Sequence, residues 1–299
     1  MQNLNSDPLP WLLDPENPSV RYWTLVDILD RPANNPEVQE VRAAIARQPL
    51  AKELFALQHP EGHWGDETKP HTAQGAVTAL SLLYMLGVPP DKRTTAGCDS
   101  FLKFCQHESG GFSMTKTLRS GIFPCTTGPH LPFLIYFGLG DDPRVRSAFA
   151  FLIEEMSTEN ALDCGRYQHR DCWWGAIAAL NGLAVLPTDM RSAQSERVVK
   201  RLANALLDAK YDFEGEHKRW LTFGVPRAWD LLSALKALAA HGYARDSRFG
   251  PLLKLMLNRQ DEQGRWLCGS VSRTWPIEKR NQPSKWITLD ALRVLQQAV

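Results

Sequence analysis

The chain contains no run of 18 uncharged apolar residues, the length at which an apolar stretch becomes a membrane-spanning helix. A transmembrane segment is therefore not expected. The opening residues, Met1-Gln2-Asn3-Leu4-Asn5-Ser6-Asp7-Pro8, lack the basic region and apolar core of a secretory leader, which points to a cytoplasmic protein. Neither sign of charge is in excess. The 34 Lys and Arg stand against 33 Asp and Glu, interspersed rather than blocked, which excludes the one-sided basic surface that nucleic-acid binding uses. Cysteine is scarce, and its six copies include no Cys-x-x-Cys pair; in a reducing compartment no disulfide framework is expected. The period-two alternation of half-buried strands is missing from every long segment.

What the sequence does contain is a repeat. Gln58-His59-Pro60-Glu61-Gly62-His63-Trp64, Gln106 through Gly110 to Phe112, and Gln260 through Gly264 to Trp266 all place three residues between Gln and Gly and one between Gly and an aromatic. The Gly permits a left-handed exit from a helix, the Gln can bond loose backbone groups there, and the aromatic fills the gap to the next hairpin. Helix starts recur too, at Asn35-Pro36-Glu37, Pro90-Asp91-Lys92, Asp142-Pro143-Arg144, Asp189-Met190-Arg191 and Asp246-Ser247-Arg248, where an Asx side chain caps the first turn. These signals predict inner, nearly all-apolar helices near 20–31, 72–87, 125–138, 172–186, 227–242 and 284–298. Amphipathic outer helices are predicted near 36–58, 92–106, 143–156, 192–210 and 247–259.

The three turns resemble the QW motif of the terpenoid cyclase and protein prenyltransferase β-subunit superfamily, the prenyltransferase and squalene oxidase repeat. The resemblance runs from about Val20 to the C-terminus. It implies an all-α fold, an α/α toroid of about six inner and five to six outer helices whose first and last hairpins meet. On this reading residues 1–299 are one domain, with 1–18 as an N-terminal extension. The family's chemistry sits at the rim where inner helices begin, and helix N-termini there favour anions and thiolates.

Aligning the repeats sets Cys125-Thr126-Thr127-Gly128 on Cys172-Trp173-Trp174-Gly175, with the loop from Cys164 through His169 and Asp171 leading into the second. Cys125, Cys164, Cys172 and His169 can form a tetrahedral zinc site, with His130 or Asp171 as substitutes for the fourth ligand; unbound thiols in a pocket are the other reading. Prenyltransferase β-subunits carry zinc at this rim on Asp, Cys and His, and Asp171, Cys172 and His169 supply those types at a different spacing. Cys98, Cys105 and Cys268 read as packing residues. The Asp-x-Asp-Asp acid of class II cyclases and the Asp-Asp-x-x-Asp motif of class I are both absent.

Asp230 stands at the start of an apolar helix, with Arg227 three residues earlier as a partner, either as a structural ion pair or in acid–base work. His71, Trp173, Trp174, Trp220, Trp229, Lys285 and Trp286 fall near inner-helix starts as candidate ligand contacts, and the irregular stretch 269–282 adds Trp275, Lys279 and Arg280. Three functions follow. The first is a prenyltransferase-like or cyclase-like enzyme acting on an apolar, isoprenoid-like small molecule, with Cys172, Asp171, Asp230 and Arg227 as its catalytic candidates and zinc as its cofactor. The second is a non-catalytic small-molecule or peptide-binding toroid. The third is a carbohydrate-active toroid, which requires opposed carboxylates at a cleft. The oligomeric state is not encoded in any of these signals.

Overall fold

A computed structural model describes residues 4–113, 121–164, 172–215, 217–225 and 229–298. The chain is mostly helical. Among the described residues the regular strands are Gly224–Val225 and Ser270–Val271, which pair in parallel. Of the helices predicted as inner, the structure forms Pro18–Trp23 continuing as a π turn over Thr24–Ile28, then Ala76–Leu86, Trp173–Leu183, Leu231–Ala240 and Lys285–Gln297. Of those predicted as outer, it forms Lys92–Cys105, Pro143–Ser157, Ala193–Leu207 and Phe249–Leu257.

Proline accounts for the main departures from the predicted spans. The outer helix expected over 36–58 is two helices, Pro36–Ile45 and Pro49–Ala56, because Pro49 has no N–H to continue the ladder but is well placed at a first turn. The inner helix expected over 125–138 runs as Pro124–Thr127, a 3₁₀ turn Gly128–His130, and Leu131–Tyr136. Pro129 and Pro132 interrupt it for the same reason.

Caps form where the Asx signals stand, with Asn35 accepting from the N–H of Glu37 and Val38, Asp91 from Arg93 and Thr94, and Asp142 from Arg144. Asp189 does not cap. It lies inside a 3₁₀ turn and pairs with Arg146, while Ser192 Oγ accepts from Ser195 N at 3.2 Å at the start of the next outer helix.

The three Gln-Gly-aromatic turns share one geometry. In each, Gln and aromatic form an antiparallel bridge, Gln58 with Trp64, Gln106 with Phe112 and Gln260 with Trp266. Gly62, Gly110 and Gly264 take φ of 94°, 92° and 69°, the left-handed region that glycine enters without a Cβ penalty. The Gln58 amide donates to Gly62 O at 2.9 Å and to Arg93 O at 2.8 Å, and Gln106 repeats this on Gly110 O at 2.9 Å and Arg144 O at 2.6 Å. Each Gln thus ties its turn to the first turn of the following outer helix. Gln260 accepts from Asn5 N at 2.8 Å, which ties the third turn to the N-terminal segment. Trp64, Phe112 and Trp266 are fully buried, as the plugging role requires.

The chain divides into two compact units, Met1–Ala51 with Met85–Val88 and Leu207–Val299, and Lys52–Tyr84 with Pro89–Leu206. In the first, the two ends of the chain pack together. Lys285 pairs with Asp14 at 2.8 Å, and Arg293 binds Asp27 and Asp290 at 2.8 and 2.7 Å. The core of the second is an aromatic cluster in which Phe101 lies 5.0, 5.4 and 5.5 Å from the rings of Phe112, His130 and Phe133.

Candidate functional site

The cysteine cluster belongs to the second unit and is built by a close helix crossing. A Cβ added to Gly182 would lie 2.9 Å from both Cα and O of Gly128, so two glycines let the Pro124–His130 segment and the Trp173–Leu183 helix touch backbone to backbone. The contact sets Cys125 in the first turn of one segment beside Cys172 at the start of the other. Cys172 is the N-cap of its helix, and its Sγ accepts from Gly175 N at 3.4 Å. Burial pushes its thiol up to about 11, with Cys164 and Cys125 adding to the rise through their own charge and a Cys164 hydrogen bond. All three cysteines are half-buried. The adjacent Trp173 is half-buried and Trp174 is 46% exposed.

His169, Asp171 and Arg227 lie outside the described residues. His130 is buried, its Nδ1 donating to Thr126 O at 2.6 Å inside the aromatic cluster. His71 is half-buried, with Nε2 3.1 Å from Ser113 O and its ring edge-on to His130 at 5.2 Å. Cys98, Cys105 and Cys268 are buried, in keeping with packing roles, and burial raises all three thiols.

Asp230, Trp220, Trp229, Trp275, Lys285 and Trp286 belong to the first unit. Asp230 is 3% exposed and caps the Leu231–Ala240 helix, accepting from Ser233 N at 2.8 Å and from Gly224 N at 3.2 Å. Burial pushes its carboxyl up to about 6, against the lowering effect of those N–H groups. Trp229 is half-buried, whereas Trp220, Trp275 and Trp286 are buried. Trp220 packs on Tyr211 at 5.3 Å. Lys285 is held by Asp14 and lies 5.6 Å from the Trp11 ring.

The stretch 269–282 borders a cleft of about 640 Å³ whose walls include Trp11, Arg265, Ile277, Glu278, Lys279 and Gln282. Burial raises the Glu278 carboxyl, which accepts from Ser284 Oγ at 2.9 Å. Of the residues expected to meet a ligand from this stretch, Lys279 lines the cleft and Trp275 is packed inside. Trp11 was not legible as a wall residue, because it reaches the cleft from the other end of the chain.

No family model and no curated protein matches the chain. Among solved structures it is similar to variants of the type II terpene cyclase MstE from Scytonema. The apo form is 13% identical with a TM-score of 0.32, and the complex with its product merosterolic acid A is 15% identical with a TM-score of 0.33. Each match covers 86% of this chain and 96% of that one. At this distance the likeness carries no argument about the site.

Proposed function

We propose that the chain is an α/α toroid of the terpenoid cyclase and prenyltransferase type that takes an apolar, isoprenoid-like small molecule where its inner helices begin, with zinc held by Cys125, Cys164 and Cys172. The observation that carries this reading is that Cys164 and Cys125 both act on the Cys172 thiol at the start of the Trp173–Leu183 helix, beside the exposed indole of Trp174; the three sulfurs do not all lie within 4.8 Å of one another, so sharing one ion requires them to draw together. Three sulfurs are a soft donor set suited to zinc. Zinc binding draws off the thiol protons, and a zinc ion there would supply Lewis-acid character. The chain's own contribution is to aim Cys172 from a helix N-terminus and to offer an apolar indole next to it. Metal analysis of protein purified without a chelating tag tests the proposal. Bound zinc that is lost in Cys172→Ala, together with tryptophan quenching by an isoprenoid alcohol that is lost in Trp174→Ala, supports it; a fully stable metal-free protein with no quenching overturns it.

A non-catalytic binding role has its own support. Asp230, one of the acid–base candidates, is enclosed and occupied as a helix cap. The same ligand titration followed by product analysis separates binding from turnover.

A further inference from the structure

The Gln-Gly-aromatic turn brings its first, third and fifth residues after Gln onto one face. In the third copy these are Asp261, Gln263 and Arg265, and they are joined by hydrogen bonds, Arg265 Nε to Asp261 Oδ2 at 2.9 Å and Arg265 Nη2 to Gln263 Oε1 at 2.9 Å. In the second they are His107, Ser109 and Gly111, and His107 Nδ1 lies 3.0 Å from Ser109 Oγ. The geometry comes from the backbone: His59 N donates to His63 O at 2.9 Å and Asp261 N to Arg265 O at 2.7 Å, which makes the first and fifth residues a cross-turn pair.

In the first copy the three residues are His59, Glu61 and His63. Two imidazoles and a carboxylate thus occupy positions that carry an ion pair and an amide in the third copy. The two rings stack with centroids 4.1 Å apart and planes at 16°. Among the described residues, this is the group of three metal-type side chains whose ligand atoms all lie within 4.8 Å of one another, and it does not involve the cysteines. His63 Nδ1 lies 3.0 Å from Gly65 O. A carbonyl only accepts, so Nδ1 carries the proton and Nε2 keeps its lone pair, the arrangement that orients a metal-bound histidine.

We propose that His59, Glu61 and His63 form a binding site for a divalent transition-metal ion of borderline softness such as Zn²⁺, with water completing the shell. Nitrogen and carboxylate donors suit such ions at bond lengths of about 2.0–2.2 Å. At those lengths tetrahedral ligand atoms stand about 3.3 Å apart, which exposed side chains on a fixed turn reach by rotation. The bridge between Gln58 and Trp64 and the left-handed Gly62 hold that turn. A bound ion therefore clips together the loop that leaves the Pro49–Ala56 helix.

The test is calorimetric titration of Zn²⁺ into tag-free protein, compared with His59→Ala, Glu61→Gln and His63→Ala, and a parallel Co²⁺ titration read by absorbance. The expected result is a binding event weakened roughly tenfold or more by each histidine replacement. It should weaken to a lesser degree in Glu61→Gln and stay unchanged in Cys172→Ala. Its Co²⁺ form should show d–d absorption without a thiolate charge-transfer band. This separates it from the cysteine site, whose failure or success leaves it untouched. An isotherm identical in the wild type and in the exposed-tip variants His59→Ala and Glu61→Gln overturns the proposal, as does metal uptake that always carries the thiolate band.

Discussion

The indole N–H of Trp64 donates to the carbonyl of Leu54 at 2.6 Å, ten residues back in the helix that the turn has just left. Trp266 repeats the contact on Met256 at 2.8 Å. The aromatic therefore fills a gap and also satisfies an acceptor near a helix C-terminus, where carbonyls lack intrahelical partners. Trp64→Phe should cost about 1 kcal/mol for the lost hydrogen bond, and Trp64→Ala about 3–5 kcal/mol for the cavity. Trp174→Ala, at an exposed position, should fall within about 0.5 kcal/mol of the wild type. Urea unfolding of the three variants checks the order, and equal losses for Trp64→Ala and Trp174→Ala would contradict the plugging role.

The turn glycines test close approach separately from backbone strain. A Cβ on Gly62 would lie 2.5 Å from Ala96 O, and one on Gly110 2.5 Å from Ser147 O. Gly138 and Gly242 have φ of 91° and 81° but nothing within 4 Å. All four alanine variants carry the left-handed penalty of roughly 1–2 kcal/mol. Gly62→Ala and Gly110→Ala should lose at least about 1 kcal/mol more, because a backbone carbonyl must also shift. Thermal midpoints that do not separate the two pairs would show that the turns yield.

The turns and most helix starts were legible because their causes are local: a spacing of Gln, Gly and aromatic, or an Asx before a first turn. The breaks at Pro49, Pro129 and Pro132 were missed, because the apolar period continues through them, although each proline announces its missing N–H. That Cys125 and Cys172 stand at the starts of two helical segments followed from aligning repeats, although the glycine crossing at Gly128 and Gly182 that brings those segments together gives no periodic signal. Asp230 was expected to need an ionic partner. Arg227 lies outside the described residues; among them Asp230 accepts from the N–H groups of Ser233 and Gly224, and the second comes from a two-residue strand too short to leave a pattern. The convergence of His59, Glu61 and His63 was hidden because alternate residues meet only once the turn is known.

Asp230 should make stability depend on pH in the direction opposite to an ion-paired carboxylate. Its folded carboxyl is pushed up to about 6 by burial, from an ordinary value of 3.8. The folded state therefore binds the proton more tightly than the unfolded chain. The resulting stabilisation is complete below the unfolded value and is lost as pH rises from about 4 to about 6, at no more than about 1.4 kcal/mol per pH unit. Asp230→Asn keeps a cap acceptor but cannot titrate. Denaturant midpoints across this window should show the wild type losing ground to the variant as pH rises; a constant difference would mean that Asp230 is not desolvated.

Arg293 should matter through its two acidic partners. It binds Asp27 and Asp290, while Lys236 also holds Asp290 at 2.6 Å, so three helical segments from both ends of the chain share one charge network. Burial alone would raise the Asp290 carboxyl, but the charges of Lys236 and Arg293 bring it below its ordinary value. That stabilisation is present above the unfolded value and is lost as pH falls. Arg293→Met keeps an apolar stem and removes the charge, leaving Asp27 unpaired and Asp290 with Lys236 alone. With about a quarter of each side chain exposed, solvent screens part of the penalty, and the loss should be about 1–3 kcal/mol at neutral pH. Adding Asp27→Asn should recover part of it, because the residual cost is an uncompensated carboxylate. A double-mutant cycle measures this coupling; strictly additive losses would reduce the Arg293–Asp27 bridge to a surface contact and leave packing to hold the two chain ends together.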